Sequence, residues 1–211
     1  MSVTKATTIQ GQINEITSEL LTAADHLKDL TAAVSIFGSA RIRSDSPYYT
    51  KTQEISGLLA RAGFNVISGG GPGIMEAANR GASEEHAPNV GMNITLPHEQ
   101  SGNRYITPAL CFKFHYFALR KMHLMMRARA LVVFPGGFGT MDELFEVLTL
   151  VQTHKAKGVP IVLFGVDFWS RMLNFDVMIE YGTISPENVK LFHITDDVHE
   201  ACRIIQAYYQ R

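Results

Sequence analysis

Three short glycine-rich segments each close an apolar run: Gly38-Ser39-Ala40-Arg41, Ser68 to Gly73, and Pro135 to Thr140. Glycine lets backbone approach a phosphate closely, and a helix starting just beyond offers unpaired N–H groups and a positive dipole end. Gly70, Gly71 and Gly73 in the second segment, and Gly136, Gly137 and Gly139 in the third, are the candidate anion-binding positions. Thr140 can add a hydroxyl donor, Ser39 is the candidate binding residue of the first segment, and Phe138 sits between the last two glycines. One such segment is an ordinary tight turn. Three at one edge of one sheet point to a phosphate-bearing ligand. They match neither GxxxxGK[ST] nor a GxGxxG that opens the first helix, which argues against an ATPase and an ordinary NAD enzyme.

Beyond the third segment stand Met141, Asp142, Glu143 and, one turn on, Glu146. Asp142 in a first helical turn suits the helix dipole. A carboxylate at the mouth of a phosphate loop repels the ligand, so Glu143 makes chemical sense if it faces a sugar and a water instead. Arg120, Lys121, His123, Arg127 and Arg129 crowd one predicted helix. Such a run is usually a solvated face, but Arg120 and Lys121 begin the helix that leads back to the third loop and can reach the same edge. Pro97 to Gly102, with His98 and Glu99, forms a polar loop on that edge. The eight histidines contain no HExxH and no cluster at ligand spacing, so no metal is expected. Gly-x-Ser-x-Gly is absent, and no Ser-His-Asp or Cys-His order can be argued.

The elements that must hold these residues alternate along the chain. Helical spacing of Ile13, Ile16, Leu20, Leu27 and Leu30 predicts an N-terminal helix over 9–30, laid on the domain as an extension formed by residues 1–30. Ala33–Phe37, Asn65–Ser68, Asn89–Leu96, Ala130–Phe134 and Val159–Phe164 read as strands. Helices are expected from Ser46-Pro47, over Ile74–Gly81, Phe114–Arg129 and Thr140–His154, around Phe168–Tyr181, and over Asp197–Tyr209, the first with Ser as cap and Pro in the first turn. Leu119, Met122 and Met126 share one stripe. Short apolar runs alternating with helices mean a parallel sheet covered on both faces, a Rossmann-like doubly wound α/β fold. Residues 31–211 form one such nucleotide-binding catalytic domain. Ligands of such sheets bind at the carboxyl ends of the strands, where all three glycine segments lie.

With 211 residues the chain can bury a large core, and a net charge of −1 gives no bulk attraction to nucleic acid or an anionic membrane. An anionic ligand must therefore be held by local donors. No apolar run approaches the ~18 residues that span a bilayer, and the first thirty residues lack a basic-then-apolar leader. Cys111 and Cys202 have no CxxC partner and read as two buried free thiols. A cytoplasmic protein is expected.

Pro135-Gly136-Gly137-Phe138-Gly139-Thr140-Met141-Asp142-Glu143 resembles the PGGxGTxxE signature of the LOG family, the cytokinin riboside 5′-monophosphate phosphoribohydrolases often mislabelled lysine decarboxylases. Arg120-Lys121 matches the family's Arg-Lys pair, Gly69 to Met75 its second glycine loop, and Phe37-Gly38-Ser39 its first. The similarity runs from about Ala33 to about Tyr209. It implies a Rossmann-like homodimer that needs no cofactor and hydrolyses a nucleoside 5′-monophosphate to free base and ribose 5-phosphate. It also implies that Arg120 and Glu143 are the catalytic pair. Lys121, the loop Gly136–Asp142, Glu99 (through its Pro-x-Glu loop) and Thr153 (through its place in the following helix) would contact the nucleotide. The plant-type Met-His before Arg-Lys is replaced by Phe117-Ala118-Leu119, and the N-terminal helix is extra; both look like a bacterial branch. A non-catalytic nucleotide-sensing or carrier module is the alternative on this fold. Amino-acid decarboxylation would need pyridoxal phosphate on a lysine, and no lysine-centred phosphate site stands out.

Overall fold

The computed structural model describes residues 8–28, 30, 32–96 and 102–209. The elements, in chain order, are α1 (Ile9–His26), β1 (Ala33–Phe37), α2 (Pro47–Arg61), β2 (Asn65–Ser68), α3 (Ile74–Glu84), β3 (Asn89–Ile94), β4 (Cys111–Phe114), α4 (Phe117–Met126), β5 (Ala128–Val133), α5 (Phe138–Gln152), β6 (Ile161–Phe164), α6 (Val166–Met172), α7 (Phe175–Glu180), β7 (His193–Thr195) and α8 (Val198–Tyr209). Among the described residues seven strands make one sheet, ordered β4-β3-β2-β1-β5-β6-β7. Every pairing is parallel. This is the doubly wound α/β sheet expected from the alternating apolar runs.

Alternation along the strands splits the core into two layers. Ala33, Phe37, Leu131, Val133, Ile161 and Leu163 point to one face and pack under α1, α4 and α5. Val34, Ile36, Val66, Val132 and Val162 point to the other and pack under α2, α3 and α8. Ser35, buried in mid-strand, donates to the Leu124 carbonyl at 2.6 Å and ties β1 to α4. Local caps are as the sequence implies at α2, where Ser46 Oγ accepts from the Tyr48 N–H at 3.3 Å and Pro47 opens the helix.

Several expectations are corrected. β4 and β7 are additional to the expected strands: Cys111-Phe112-Lys113-Phe114 is broken by a lysine and His193-Ile194-Thr195 holds one apolar residue, so neither forms a continuous apolar run. The helix expected from Phe114 begins at Phe117, since Phe114 belongs to β4. α5 begins at Phe138, two residues before the expected Thr140, and α6 and α7 are two short helices. Met122 and Met126 are exposed, and α4 buries Leu119, His123 and Leu124 instead. α1 docks through its C-terminal half: Ala23 and Leu27 are buried, whereas Ile13 and Ile16 are exposed. Leu30 is only partly buried and lies beyond the helix. Cys202 is buried as expected, but Cys111, on edge strand β4, is exposed.

Gly73 caps α3 with φ 67° and ψ −128°, a conformation closed to side-chain-bearing residues. An added Cβ there would stand 2.5 Å from the Ser39 carbonyl oxygen, which is backbone and cannot swing aside. Gly73→Ala should therefore cost about 3 kcal/mol of folding stability through strain and overpacking together. Urea unfolding measures this; a loss below about 0.5 kcal/mol, the scatter of a neutral surface change, would contradict it.

Candidate active site

β1 lies between β2 and β5, and the helices that follow β1 and β5 leave on opposite faces of the sheet. At such a reversal the two outgoing loops diverge and open a crevice at the carboxyl ends. The loops are stitched at its base. Ser39 N–H donates to the Pro135 carbonyl at 3.1 Å, and Ile74 N–H donates to the Ser39 carbonyl at 3.1 Å. The three glycine segments are thus one hydrogen-bonded floor. Above it is a cavity of about 560 Å³, lined by Gly38 to Arg41, Gly69, Gly71, Asn93, Arg120, Gly137 to Thr140 and Glu143 on its polar side.

The N-terminus of α5 faces this cavity and is open. No side chain caps it and its first turn carries no acid. The first intrahelical bond runs from Met141 N–H to the Gly137 carbonyl, so the N–H groups of Phe138, Gly139 and Thr140 have no partner within the helix. Because α5 starts at Phe138, Asp142 lies beyond the first turn, and the dipole role expected for it is replaced by an ion pair. Lys121 Nζ is 3.0 Å from Asp142 Oδ2 and 2.7 Å from Glu146 Oε2.

Glu143, one turn into α5, is largely buried at the cavity wall, with 12% of its side chain exposed. Arg120 Nη1 is 3.5 Å from Glu143 Oε1, close enough for charge attraction and long for a strong hydrogen bond. The guanidinium is anchored by Nε donating to the Met92 carbonyl at 2.7 Å. It lies where a Cβ on Gly69 would be, so Gly69 is the residue that makes room for Arg120. Burial pushes the Glu143 carboxyl up to about 7; the Arg120 charge pulls against that shift, and Asp142 adds to it. Burial also lowers the Arg120 pKa, opposed by the Glu143 charge. The wall thus offers a carboxyl group that changes protonation near neutrality, as general acid–base work requires.

The predicted residues divide in a way helix geometry explains. Neighbouring helical positions point about 100° apart. Arg120 therefore faces the cavity while Lys121 turns to Asp142 and Glu146, and Glu143 faces it while Met141 and Asp142 do not. Ser39, Gly71, Gly137, Phe138, Gly139 and Thr140 line the cavity with Arg120 and Glu143. Gly70, Gly73 and Gly136 lie behind the lining and shape it: Gly70 N–H donates to Ser68 Oγ at 3.0 Å, and Gly136 leaves the space Thr140 fills. Thr153 is not brought to the cavity. It caps the opposite end of the 15-residue α5, where its hydroxyl donates to the Thr149 carbonyl at 2.7 Å. Glu99 lies outside the described residues.

The sequence reading missed an apolar wall of Met75, Ile94, Leu96, Phe117 and Met172. Phe117 was within reach, being three residues before Arg120 on one helix face. Met172 arrives from a distant helix and left no signal. A second groove, of about 830 Å³, lies at the opposite edge of the sheet, with Lys28, Arg127, Arg129 and Lys157 on its rim. Although larger, it has no carboxyl–cation pair. Lys28 and Arg127 stand just beyond the C-termini of α1 and α4, where the negative dipole ends favour them. Glu15, Glu19 and His115 come within 4.8 Å of one another, a proximity no sequence spacing revealed. His115 Nδ1 and Glu19 Oε1 are hydrogen-bonded at 2.6 Å, which pins α1 to the start of α4.

A family model described as "Possible lysine decarboxylase" matches residues 75–205 of this chain. The chain belongs to this family, the LOG family. It is similar to a probable cytokinin riboside 5′-monophosphate phosphoribohydrolase of Oryza sativa subsp. japonica, 28% identical over 161 residues that cover 72% of this chain and 63% of the relative. A cytokinin riboside 5′-monophosphate phosphoribohydrolase of Arabidopsis thaliana is 23% identical over 180 residues, 83% of this chain and 82% of the relative. In fold, the LOG-family chain is similar to the molybdenum cofactor binding protein of the phototrophic bacterium Rippkaea orientalis. That match has TM-score 0.62 and 15% identity, over 85% of this chain and 98% of the other. No helix among the described residues is long and apolar enough to cross a membrane.

Removing the Arg120 charge deletes the influence that holds the Glu143 carboxyl down. In Arg120→Met the Glu143 pKa should rise above its wild-type value of about 7, by about one unit for a charge at this separation. Carboxyl-carbon NMR titration reads this directly; an unchanged or lower value would show that the two groups do not communicate.

Proposed function

We propose that this LOG-family chain hydrolyses the N-glycosidic bond of a nucleoside 5′-monophosphate, AMP or an N6-substituted cytokinin analogue, giving free base and ribose 5-phosphate. The observation that carries the reading is the buried Glu143, with its pKa near 7, beside Arg120 and across from the uncapped, acid-free start of α5. The 5′-phosphate suits the free N–H groups of Phe138, Gly139 and Thr140. The sugar then lies toward Glu143, and the base against Ile94, Leu96, Phe117 and Met172.

Breaking the C1′–N bond sends its electron pair to the base and leaves positive charge on the sugar. As carboxylate, Glu143 stabilises that charge and accepts a proton from the water whose oxygen attacks C1′; the departing base takes a proton from solvent, and Glu143 returns its own to solvent. Arg120 keeps Glu143 in place and favours its ionised form. Phosphate contacts far from the reacting bond supply binding energy for orientation. The ionised form is the working one, so kcat/KM should climb as pH rises through the Glu143 pKa. The decarboxylase description of the family model finds no support at the site. No lysine is among the described residues lining the cavity, and Lys121 is held in two ion pairs.

Base release from a panel of nucleoside monophosphates, followed by chromatography in EDTA, tests the reaction. Glu143→Gln keeps shape and removes charge, so kcat should fall at least about 100-fold while nucleotide binding survives. A near-normal kcat would take the role from Glu143. Wild-type binding without base release from any nucleotide would favour the carrier or sensing module, a role consistent with the fold shared with the cofactor-binding protein of Rippkaea orientalis.

The acting form is proposed to be a cytoplasmic homodimer. Phe117, Met122 and Met126 leave the exposed side of α4 apolar, with Phe138 exposed nearby at the cavity mouth, and such a surface is usually covered. Light scattering should give twice the 23.4 kDa chain mass; a clean monomer in dilute solution would remove the claim.

A further inference from the structure

Arg41 stands out in the charge inventory of the cavity. The charged residues of its described lining are Arg41, Arg120 and Glu143. Arg120 is committed to the Met92 carbonyl at 2.7 Å and to Glu143 at 3.5 Å. Lys121, the other cation of the Arg-Lys pair, is not in the lining and is neutralised by Asp142 and Glu146. A phosphate monoester brings about −1.5 to −2 charges at neutral pH. Backbone N–H groups and a helix dipole supply only about half a positive charge against it. Among the described residues, the Arg41 guanidinium is the lining cation not held by a side-chain or carbonyl partner.

The backbone around Arg41 is set. Its N–H donates to Ser39 Oγ at 3.0 Å, and Ser39 N–H is bonded to the Pro135 carbonyl. The loop that carries Arg41 is thereby fastened to the loop that opens α5, and both line one cavity. Arg41 also borders a smaller hollow of about 360 Å³, but Glu76 lies there, accepting from the Tyr49 hydroxyl at 2.8 Å. A carboxylate disfavours an anion in that hollow, which leaves the main cavity as the place where the Arg41 charge is answered.

We infer that Arg41 is the side chain that recognises the phosphate of the ligand and makes the site selective for a phosphorylated sugar. This rests on reading the cavity as a sugar-phosphate site. Arginine suits the task because its planar fork matches phosphate oxygens, whereas lysine offers only a point charge.

The experiment is calorimetric titration of ribose 5-phosphate into wild type, Arg41→Met and Arg41→Lys, with AMP kinetics on the same proteins. Arg41 is exposed, so its replacement removes no core packing. Loss of its charge-assisted contacts should weaken ribose 5-phosphate binding about 10- to 100-fold in Arg41→Met, with partial recovery in Arg41→Lys. KM for AMP should rise in step with that loss while kcat changes little, because the contact is remote from the C1′–N bond. Adenine, lacking phosphate, should bind all three proteins alike. Binding of ribose 5-phosphate to Arg41→Met within about threefold of wild type would overturn the inference, as would failure of the wild type to bind it. Wild type that binds ribose 5-phosphate but releases no base from any nucleotide would overturn the hydrolase reading and leave the role of Arg41 standing.

Discussion

The site exists because the sheet reverses its winding beside β1. From β1 the chain winds out through β2 and β3 to β4; it then returns to pair β5 on the other flank of β1. The return sends α5 to the face opposite α2, and the two glycine loops part over the carboxyl ends of β1 and β5. The Ser39 N–H to Pro135 carbonyl bond closes the bottom of that gap. Without the reversal the loops would run side by side, and the open start of α5 would have no second wall.

A helix end left uncapped and a carboxyl buried near neutrality both cost stability. The structure offsets these costs around the site. Arg120 faces Glu143, its guanidinium is held by the Met92 carbonyl, and Gly69 gives up its side-chain volume for it. α2 makes the contrast: away from the crevice, it begins with Ser46 as cap and Pro47 at its first position. The start of α5 thus keeps N–H groups open to the cavity that a side-chain cap of the α2 kind would occupy.

The second glycine loop is held by side-chain amides, with Asn79 and Asn89 buried and Asn103 part-buried. Asn79 accepts from Ser68 Oγ at 2.6 Å and donates to Asn89 Oδ1 at 2.9 Å and to the Val90 carbonyl at 3.1 Å. Asn103 donates to Asn79 Oδ1 at 2.9 Å and to the carbonyls of Gly70 and Gly71 at 3.1 and 3.2 Å. Such a network, with its partners supplied, specifies one loop shape, whereas backbone glycines alone would permit many. None of these asparagines follows a motif, so pattern reading passed over them.

The sequence by itself determined the class of sheet, the positions of the three glycine loops and the resemblance carried by Pro135 to Glu143 and by Arg120-Lys121. Each of these is written in local spacing: apolar runs of strand length, glycines at their ends, a contiguous signature. The pairing of Arg120 with Glu143 came from that resemblance, since the two stand on different helices. Tertiary structure alone decided which neighbour of each charged pair faces the cavity, because helix phase is set by packing against the sheet. It turned Lys121 and Asp142 toward each other and kept Thr153 a helix length away. It brought Met172 and Arg41 to one cavity and Glu15, Glu19 and His115 to one corner. These meetings depend on how strands are ordered in the sheet, and strand order is not a local property of the chain.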